Sequence, residues 1–251
     1  KIIKNIQKIG FTILEVPSIE EITEGRAKIE NLRRIDIEDL LERDVVKPIP
    51  KLLQEGIQDK VILITGAGGS IGSEISSQLI EMNPRNLILI DMNEKNLYEL
   101  INDLKDHKNS KSIKYVLGNT TDFNLMKKLI SNYGVDLIFH TCAYKHVNLV
   151  EINPIQGLYN NIISSFVICN VASLLKVSKV ILISSDKAVR PSNIMGASKR
   201  VSEILFQAFN DKFPDTCFSM VRFGNVLNSS GSVIPLFKKQ IRNLSPITIT
   251  H

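Results

Sequence analysis

The sequence predicts an α/β protein built on a doubly wound parallel sheet. Six short apolar runs recur from residue 61 onward, helical patterns separate them, and a glycine-rich loop follows the first run. The runs are continuous in Val, Ile and Leu rather than alternating, which is typical of strands buried on both faces. They cover residues 61–65, 86–91, 115–118, 137–140, 180–183 and 218–221.

Helical periodicity fills the segments between these runs. After the first run, Ile71, Ile75, Leu79 and Met82 recur at intervals of three and four residues, which places them on one face of a helix. Further helices are predicted near 93–106, 122–133, 155–176 and 193–210. Strands that alternate with helical connections of this length predict a parallel sheet.

The first 57 residues differ from the rest and predict the end of an upstream domain with a short α/β connector. A strand-like stretch at 10–17 ends at a proline, a charge-rich helical pattern covers 35–43, and two prolines within 45–50 suit a linker. Residues 58–251 are then the main domain. Because the chain begins with Lys1 and ends on a strand-like stretch, we expect a fragment whose main domain is truncated at its C-terminus.

Composition excludes several classes of protein. The 251 residues include 31 Lys and Arg against 26 Asp and Glu, a net charge of +5, and 43% are hydrophobic. These values fit a globular chain rather than a disordered one. No apolar run approaches the roughly 18 residues that span a membrane, so we expect membrane contact only through upstream segments absent from this chain. Trp is absent and no basic block alternates with aromatic residues, so no nucleic-acid partner is predicted.

The three cysteines are Cys142, Cys169 and Cys217. They are isolated in apolar surroundings, and no Cys or His cluster has the spacing of metal ligands. The sequence therefore predicts buried thiols and no metal site.

The glycine-rich loop lies between the first strand and the first helix, as in Rossmann-type dinucleotide-binding folds. Gly66 permits a tight turn, Gly69 lets backbone N–H groups approach a pyrophosphate, and Gly72 allows close helix–strand packing. The helix N-terminus then directs its positive end at the phosphates. The predicted cofactor contacts of this segment are Thr65, Gly66, Gly69, Ser70, Ile71 and Gly72.

Three polar residues follow the second and third strands. Asp91 lies nineteen residues beyond Gly72, where a carboxylate accepts hydrogen bonds from a ribose and repels a 2′-phosphate, which predicts NAD rather than NADP. The alternative for Asp91 is a turn or helix cap, a role for which Asn93 also qualifies. Asn119 and Asp122 are predicted either to border the adenine or to serve as turn and cap residues.

The glycine spacing resembles the extended, nucleotide-sugar branch of the short-chain dehydrogenase/reductase superfamily. In that superfamily a Tyr accepts a proton from a hydroxyl, and a Lys four residues later lowers its pKa and holds the nicotinamide ribose. Here Met195 and Lys199 occupy that spacing at the start of a predicted helix. Because Met cannot exchange a proton, this substitution alone predicts either an inactive protein or another proton acceptor.

The residues around this pair carry a more specific resemblance. The pattern resembles the UDP-N-acetylglucosamine 4,6-dehydratases of bacterial polysaccharide and glycan biosynthesis, the CapD-like family, whose large membrane-anchored members carry Met in the Tyr position. An exposed ion pair is the alternative for the acid–lysine doublet. The residues that carry the resemblance are Ser185, Asp186, Lys187, Pro191, Asn193, Gly196 and Lys199.

Two other segments, 140–151 and 222–235, resemble the same family. The first makes Lys145 and His146 candidates for lining the substrate site. The second segment implies that Asn225 and the backbone of Gly231, Ser232 and Val233 contact the diphosphate or the sugar amide.

The resemblance implies an NAD-dependent lyase that oxidises UDP-N-acetylglucosamine at C4, eliminates water across C5 and C6, and reduces C6. It implies that Lys187, with a lowered pKa, removes the C5 proton, and that Asp186, with a raised pKa, protonates the leaving hydroxyl. Ser185 is implied to hydrogen-bond the C4 hydroxyl, whose proton passes to Asp186 or to water. Lys199 positions the ribose and supplies positive charge.

Two alternatives stay open at this stage. A nucleotide-sugar epimerase of the same branch would use similar binding residues, and a non-catalytic NAD-binding module would explain Met195. The superfamily resemblance also implies a homo-oligomer formed by the helices near 155–176 and 193–210. We expect the domain on the cytoplasmic side of the membrane, anchored in the full-length protein.

Overall fold

The computed structural model describes residues 14–15, 33–34, 49–226, 237, 240–243 and 245–247. The chain divides into two compact units, Lys1–Pro48 and Ile49–His251. In the first unit, β1 (Leu14–Glu15) pairs antiparallel with β2 (Arg33–Arg34). The helix predicted at 35–43 lies outside the described residues. In the second unit, α1 (Pro50–Ile57) precedes the sheet.

The described part of the second unit contains a six-stranded sheet in which every neighbouring pair is parallel. The strand order is β5-β4-β3-β6-β7-β8, so the direction of winding reverses between β3 and β6. This arrangement confirms the doubly wound Rossmann-type prediction. The strands are β3 (Val61–Thr65), β4 (Asn86–Asp91), β5 (Ile113–Leu117), β6 (Leu137–His140), β7 (Lys179–Ser185) and β8 (Cys217–Phe223).

Helices connect these strands, and three irregular turns interrupt the connections. The predicted helix at 155–176 consists of two α-helices joined by a π-helical turn, and the short α5 was not predicted. The helices are α2 (Ser70–Glu81), α3 (Glu94–Leu104), α4 (Phe123–Tyr133), α5 (Val147–Ile152), α6 (Pro154–Leu158), α7 (Ser164–Leu174) and α8 (Ile194–Lys212). The π turn is Tyr159–Ile163, and 3₁₀ turns lie at Ser110–Ser112 and Asp186–Ala188.

Each face of the sheet buries its own apolar cluster. On β3, Leu63 belongs to the cluster that includes α4, α7 and α8, whereas Ile62 and Ile64 belong to the cluster that includes α1, α2 and α3. All three side chains are fully buried. Burial of each such side chain stabilises the fold by about 2 kcal/mol. The two covered faces explain why the strand sequences show no polar alternation.

Three helices that begin near the carboxyl edge of the sheet have side-chain caps. Asn93, Asp122 and Asn193 each accept a hydrogen bond from the backbone N–H three residues later, at 3.1, 3.0 and 2.8 Å. Each bond satisfies a helix N–H that has no partner within the helix. Asn93, rather than Asp91, therefore provides the side-chain cap of α3.

The cysteines differ in burial. Cys169 is buried, Cys142 is half-buried and Cys217 is exposed. The prediction of three buried thiols is therefore wrong for Cys217, because this residue begins β8 at the edge of the sheet.

One helical stretch among the described residues, Pro154–Leu174, is long and apolar enough to cross a membrane, judged by length and composition alone. Half of its most apolar window is buried within the protein. Val167, Ile168 and Val171 lie in the apolar cluster beneath the sheet. The α7 part of the stretch therefore packs in the core of the domain.

Candidate active site

A cavity of about 380 Å³ lies at the carboxyl ends of the strands, where the winding reverses between β3 and β6. Ligands of open α/β sheets bind at this position. The loops after β3, β4, β5 and β6 all contribute to its lining. Four predicted cofactor residues meet there, namely Gly66, Gly69, Asp91 and Asn119, together with Cys142 and other residues that the sequence did not single out.

The glycine loop is packed too tightly for larger residues. Gly66 has a φ of +67°, the left-handed region that favours glycine. A Cβ atom on Gly72 would collide with the Gly66 carbonyl oxygen. Gly69 precedes α2 and lines the cavity, and no side chain caps the helix there. The positive end of α2 therefore faces the cavity, which suits a diphosphate.

Asp91 links the glycine loop to the start of α3. It is 8% exposed, and its two carboxylate oxygens accept hydrogen bonds from the backbone N–H groups of Gly68 at 2.9 Å and Asn93 at 2.8 Å. Among the described residues, the cavity lining includes no Lys or Arg. Within this described lining, a 2′-phosphate would meet the Asp91 carboxylate without a neutralising Lys or Arg, so these residues fit NAD better than NADP.

The other predicted cofactor residues occupy different places. Thr65 is fully buried, and its hydroxyl lies 2.8 Å from Nδ1 of His140. Ser70 and Ile71 form the first turn of α2. Asp122 caps α4 and is outside the cavity lining, so its structure agrees with the cap alternative. The cofactor contacts of these four residues stay predictions.

The acid–lysine doublet forms a 3₁₀ turn directly after β7. The Ser185 hydroxyl donates to Oδ1 of Asp186 at 2.9 Å, and Nζ of Lys187 donates to the same oxygen at 3.1 Å. Nζ of Lys187 also donates to Oδ1 of Asn225, beyond β8, at 3.0 Å. A Cβ atom on Gly196 would collide with the Lys187 carbonyl, so the start of α8 packs directly on this turn. The structure thus brings together four predicted residues from two strand ends.

The protonation of Asp186 differs from the expectation. Hydrogen bonds from the Ser185 hydroxyl and from Lys187 lower the pKa of this carboxyl, and the Lys187 ammonium adds to the effect. The prediction of a raised pKa is therefore wrong, because an exposed carboxylate with two donors is stabilised in its charged form.

Met195 and Lys199 lie on α8 behind this turn. Met195 is 4% exposed and Lys199 is 8% exposed. Nζ of Lys199 donates to the Ile183 carbonyl of β7 at 3.0 Å. Burial lowers the pKa of Lys199 to about 8, although the nearby Cys142 thiolate and Glu203 carboxylate act in the opposite direction. The site therefore holds a buried amine that titrates near neutral pH.

A His–Cys pair beside the cavity was not predicted as a functional feature. His140 is 1% exposed, with ring nitrogens 2.8 Å from the Thr65 hydroxyl and 3.2 Å from the Ser165 hydroxyl. Sγ of Cys142 lies 3.7 Å from Nδ1 of His140. Burial raises the pKa of Cys142, but His140 and hydrogen bonds from Thr120 and Thr65 outweigh it and bring the pKa to about 6.

The loop after β6 is fixed by Asn161 in the π turn. The Asn161 side chain accepts from the Tyr144 N–H at 2.8 Å and donates to the Tyr144 carbonyl at 3.1 Å. It also donates to the Ser198 hydroxyl of α8 at 2.9 Å. Functional sites often contain such π turns. Asn161 thereby connects the cavity wall to the helix that carries Lys199.

The predicted substrate residues are only partly described. Lys145 is exposed over much of its surface, and the loss of some solvent around its amine lowers its pKa. His146 lines a separate cavity of about 310 Å³ at the start of α5. Gly231, Ser232 and Val233 lie outside the described residues. In the described ranges, no group of three or more His, Cys, Asp or Glu side chains is arranged to hold a metal ion.

The strand order, the glycine loop and the Lys199 helix define a dinucleotide-binding domain of the extended short-chain dehydrogenase/reductase type. The sequence profile described as "Polysaccharide biosynthesis protein" matches residues 62–251. The chain belongs to this polysaccharide biosynthesis family, which confirms the CapD-like resemblance.

Three curated relatives show the same relationship. The chain is 40% identical over 243 residues to the capsular polysaccharide biosynthesis protein CapD of Staphylococcus aureus, which covers 96% of this chain and 41% of CapD. It is 44% identical over 196 residues to the membrane protein MJ1061 of Methanocaldococcus jannaschii, and 36% identical over 202 residues to a UDP-glucose 4-epimerase of Rickettsia bellii. Each of these two matches covers 77% of this chain and 57% of the relative. The chain thus spans about two fifths to three fifths of these relatives.

Solved structures share the fold. Pen from Bacillus thuringiensis superposes with a TM-score of 0.73 at 34% identity, over 78% of this chain and 61% of that chain. DesIV of Streptomyces venezuelae, a dTDP-glucose 4,6-dehydratase solved with NAD and TYD, has a TM-score of 0.62 at 21% identity, over 73% of this chain and 62% of that chain.

Proposed function

We propose that the protein is an NAD-dependent 4,6-dehydratase that acts on UDP-N-acetylglucosamine in polysaccharide or glycan biosynthesis. The observation that carries this proposal is the contact of Lys187 with both Asp186 and Asn225 at the carboxyl ends of β7 and β8. Elimination of water needs a base and an acid close to neighbouring carbons, and this pair supplies both. The family membership and the similarity to CapD support a role in polysaccharide biosynthesis.

The described residues fit NAD as the cofactor. The first turn of α2 would bind the diphosphate, Asp91 the adenosine ribose, and Lys199 the nicotinamide ribose. The fold that DesIV shares supports this assignment, since DesIV was solved with NAD. When bound, NAD supplies a hydride acceptor and donor, so the overall reaction has no net redox change.

The Asp186–Lys187 pair can reach the protonation states that elimination requires. Nζ of Lys187 and Oδ1 of Asp186 are joined by a 3.1 Å hydrogen bond. Substrate binding excludes water, and a water-poor site favours neutral forms over an ion pair. Transfer of one proton along this bond then gives a neutral Lys187 and a protonated Asp186. Lys187 can remove the C5 proton, and Asp186 can protonate the departing C6 hydroxyl.

Ser185 and Met195 have supporting roles in this proposal. Ser185 is half-buried, and its hydroxyl, which donates to Asp186, would hydrogen-bond the C4 hydroxyl of the sugar. Met195 is buried and contributes apolar packing rather than proton transfer. Because Asp186 already carries the proton from Lys187 in this scheme, a water molecule accepts the C4 hydroxyl proton.

The decisive experiment is incubation of the protein with UDP-N-acetylglucosamine in D₂O, followed by mass spectrometry and NMR of the sugar. The proposal expects loss of one water and incorporation of deuterium at C5. In Lys187→Ala, turnover should fall by at least a thousandfold while NAD⁺ affinity is unchanged. Lys179→Ala is the matched control, because Lys179 is exposed at the opposite end of the same strand. Normal turnover in Lys187→Ala would refute the role of Lys187.

An epimerase is the second candidate, favoured by the 36% identity to the Rickettsia bellii UDP-glucose 4-epimerase. A changed sugar configuration without loss of water would establish it. If NAD⁺ binds but no UDP-sugar changes, the non-catalytic NAD-binding module is the better description.

We also propose a homo-oligomer formed by the α6–α7 stretch and α8. Ile155 and Tyr159 are 77% and 54% exposed on the first stretch, and Val201 and Ile204 are 38% and 49% exposed on α8. Exposed apolar faces on two neighbouring helices suit contact with a second copy. Ile155→Asp should reduce the mass measured by light scattering, whereas Tyr98→Asp on α3 should leave it unchanged.

For localisation we propose the cytoplasmic side of the membrane, with anchoring through segments outside this chain. The membrane-protein name of MJ1061 supports this. Recovery of the full-length protein in membrane fractions, with this domain cleaved by protease only from the cytoplasmic side, would test it.

A further inference from the structure

Glu203 is a fully buried carboxylate on α8 that the proposed reaction does not use. Its Oε1 accepts from the Ser184 hydroxyl at 2.7 Å and from Nε of Arg222 at 2.7 Å. Its Oε2 accepts from Arg222 at 2.6 Å and from Arg200 at 3.0 Å. Burial alone would raise the pKa of Glu203, but hydrogen bonds from Arg222, Ser184 and Arg200 outweigh it and bring the pKa to about 2. Glu203 is therefore charged at every physiological pH.

These partners lie on the three segments that carry the candidate catalytic groups. Ser184 directly precedes Ser185 and the doublet at the end of β7. Arg222 lies three residues before Asn225, which holds Lys187. Glu203 itself is one helical turn after Lys199, on the same face of α8. One carboxylate thus connects β7, β8 and α8 behind the site.

We propose that Glu203 is a positioning residue that fixes the three site segments relative to one another and supports the ammonium form of Lys199. This inference rests on the proposed use of Lys199 to hold the nicotinamide ribose. Nζ of Lys199 donates to the Ile183 carbonyl of β7, and the negative charges of Cys142 after β6 and of Glu203 favour its ammonium form. Cys142 is already ionised above pH 7, so its charge is constant where Lys199 loses its proton.

Two substitutions should shift the titration of Lys199 in opposite directions. Glu203→Gln keeps the shape but removes the negative charge, so Lys199 should lose its proton about one pH unit lower. Arg222→Gln removes the cation that offsets Glu203, so Lys199 should lose its proton at higher pH. If Glu203 only stabilised the fold, the two substitutions would not move the pH at which Lys199 loses its proton in opposite directions.

The experiment measures NAD⁺ affinity by calorimetry from pH 6 to 10, and kcat and KM with UDP-N-acetylglucosamine over the same range. In the wild type, affinity and kcat should fall with a midpoint near pH 8. Glu203→Gln should lower this midpoint, reduce kcat about tenfold and change KM less than twofold; Arg222→Gln should raise the midpoint. Glu99→Gln is the control, because it removes the same charge from an exposed position on α3.

The outcomes separate this inference from the proposed function. If no UDP-sugar reacts but the calorimetric midpoints move as expected, the positioning role stands and the proposed reaction fails. If the sugar reacts and neither midpoint moves in folded variants, the positioning role is refuted. Should Glu203→Gln fail to fold, Arg222→Gln alone decides, since the Arg222 side chain is 40% exposed.

Discussion

Replacing Lys199 with Met should stabilise the protein at neutral pH, although it removes the buried cation of the site. Burial lowers the pKa of Lys199 from the ordinary 10.5 to about 8. Below pH 8, Lys199 is protonated in both the folded and the unfolded protein, but the unfolded chain binds this proton more tightly. Each pH unit between the two pKa values is worth about 1.4 kcal/mol. The charged lysine thus costs about 3 kcal/mol of unfolding free energy at pH 7.

Part of the stability that Lys199→Met gains by removing the buried charge is lost through a missing hydrogen bond. Met cannot donate to the Ile183 carbonyl, which now accepts from Nζ at 3.0 Å, and an unpaired buried carbonyl costs about 1–2 kcal/mol. The net stabilisation expected at pH 7 is therefore about 1–2 kcal/mol. The wild type gains stability as the pH rises from about 8 to 10.5, because the unfolded chain binds more protons in this window. The advantage of the variant should vanish between about pH 9 and 10.

Urea unfolding of both proteins at pH 7 and at pH 10 measures this effect. Lys127→Met is the control: Lys127 is exposed on α4, so its replacement should change the unfolding free energy by less than about 0.5 kcal/mol at either pH. A Lys199→Met protein that is less stable than the wild type at pH 7, or a difference that does not depend on pH, would refute the reasoning.

Three further predictions concern the cofactor cavity. Gly72→Ala places a Cβ atom against the Gly66 carbonyl, so NAD⁺ affinity measured by calorimetry should fall at least tenfold. The control Gly56→Ala has open space around the new Cβ atom and should bind NAD⁺ normally. Equal affinities of the two variants would contradict the packing argument. Asp91→Asn should weaken NAD⁺ binding about tenfold and reduce the preference over NADP⁺, and an unchanged preference would exclude the ribose role. Iodoacetamide at pH 7 should alkylate Cys142, with a pKa of about 6, before Cys169, whose pKa burial raises. NAD⁺ should slow the Cys142 reaction in peptide mass spectrometry, and no protection would place Cys142 outside the bound cofactor's reach.

The strands were predictable because both faces of the sheet are covered. The predicted bounds of β3, β4 and β6 agree with the structure, since each strand has a continuous apolar run that ends at a polar residue. The prediction for β5 began two residues late, at 115 instead of Ile113. This strand lies at the edge of the sheet, and the exposed Lys114 interrupts its apolar pattern.

The π turn could not be predicted from residue spacing. The apolar residues of 155–176 are compatible with one continuous helix. Asn161 instead directs its side chain to the Tyr144 backbone, seventeen residues earlier in the chain, and the local backbone is π-helical. A contact of this kind depends on the neighbouring loop and leaves no periodic signal in the sequence.

The sequence by itself determined the sheet class, the glycine loop, the place of Asp91 and the presence of an acid–lysine doublet after a buried strand. These features depend on neighbouring residues and on apolar periodicity, which are local properties of the chain. Only the tertiary structure decided that Lys187 meets Asn225 across 38 positions, and that Glu203 pairs with Arg222. It also decided the direction in which the pKa of Asp186 moves, because a pKa depends on burial and on the donors that folding brings within hydrogen-bond distance.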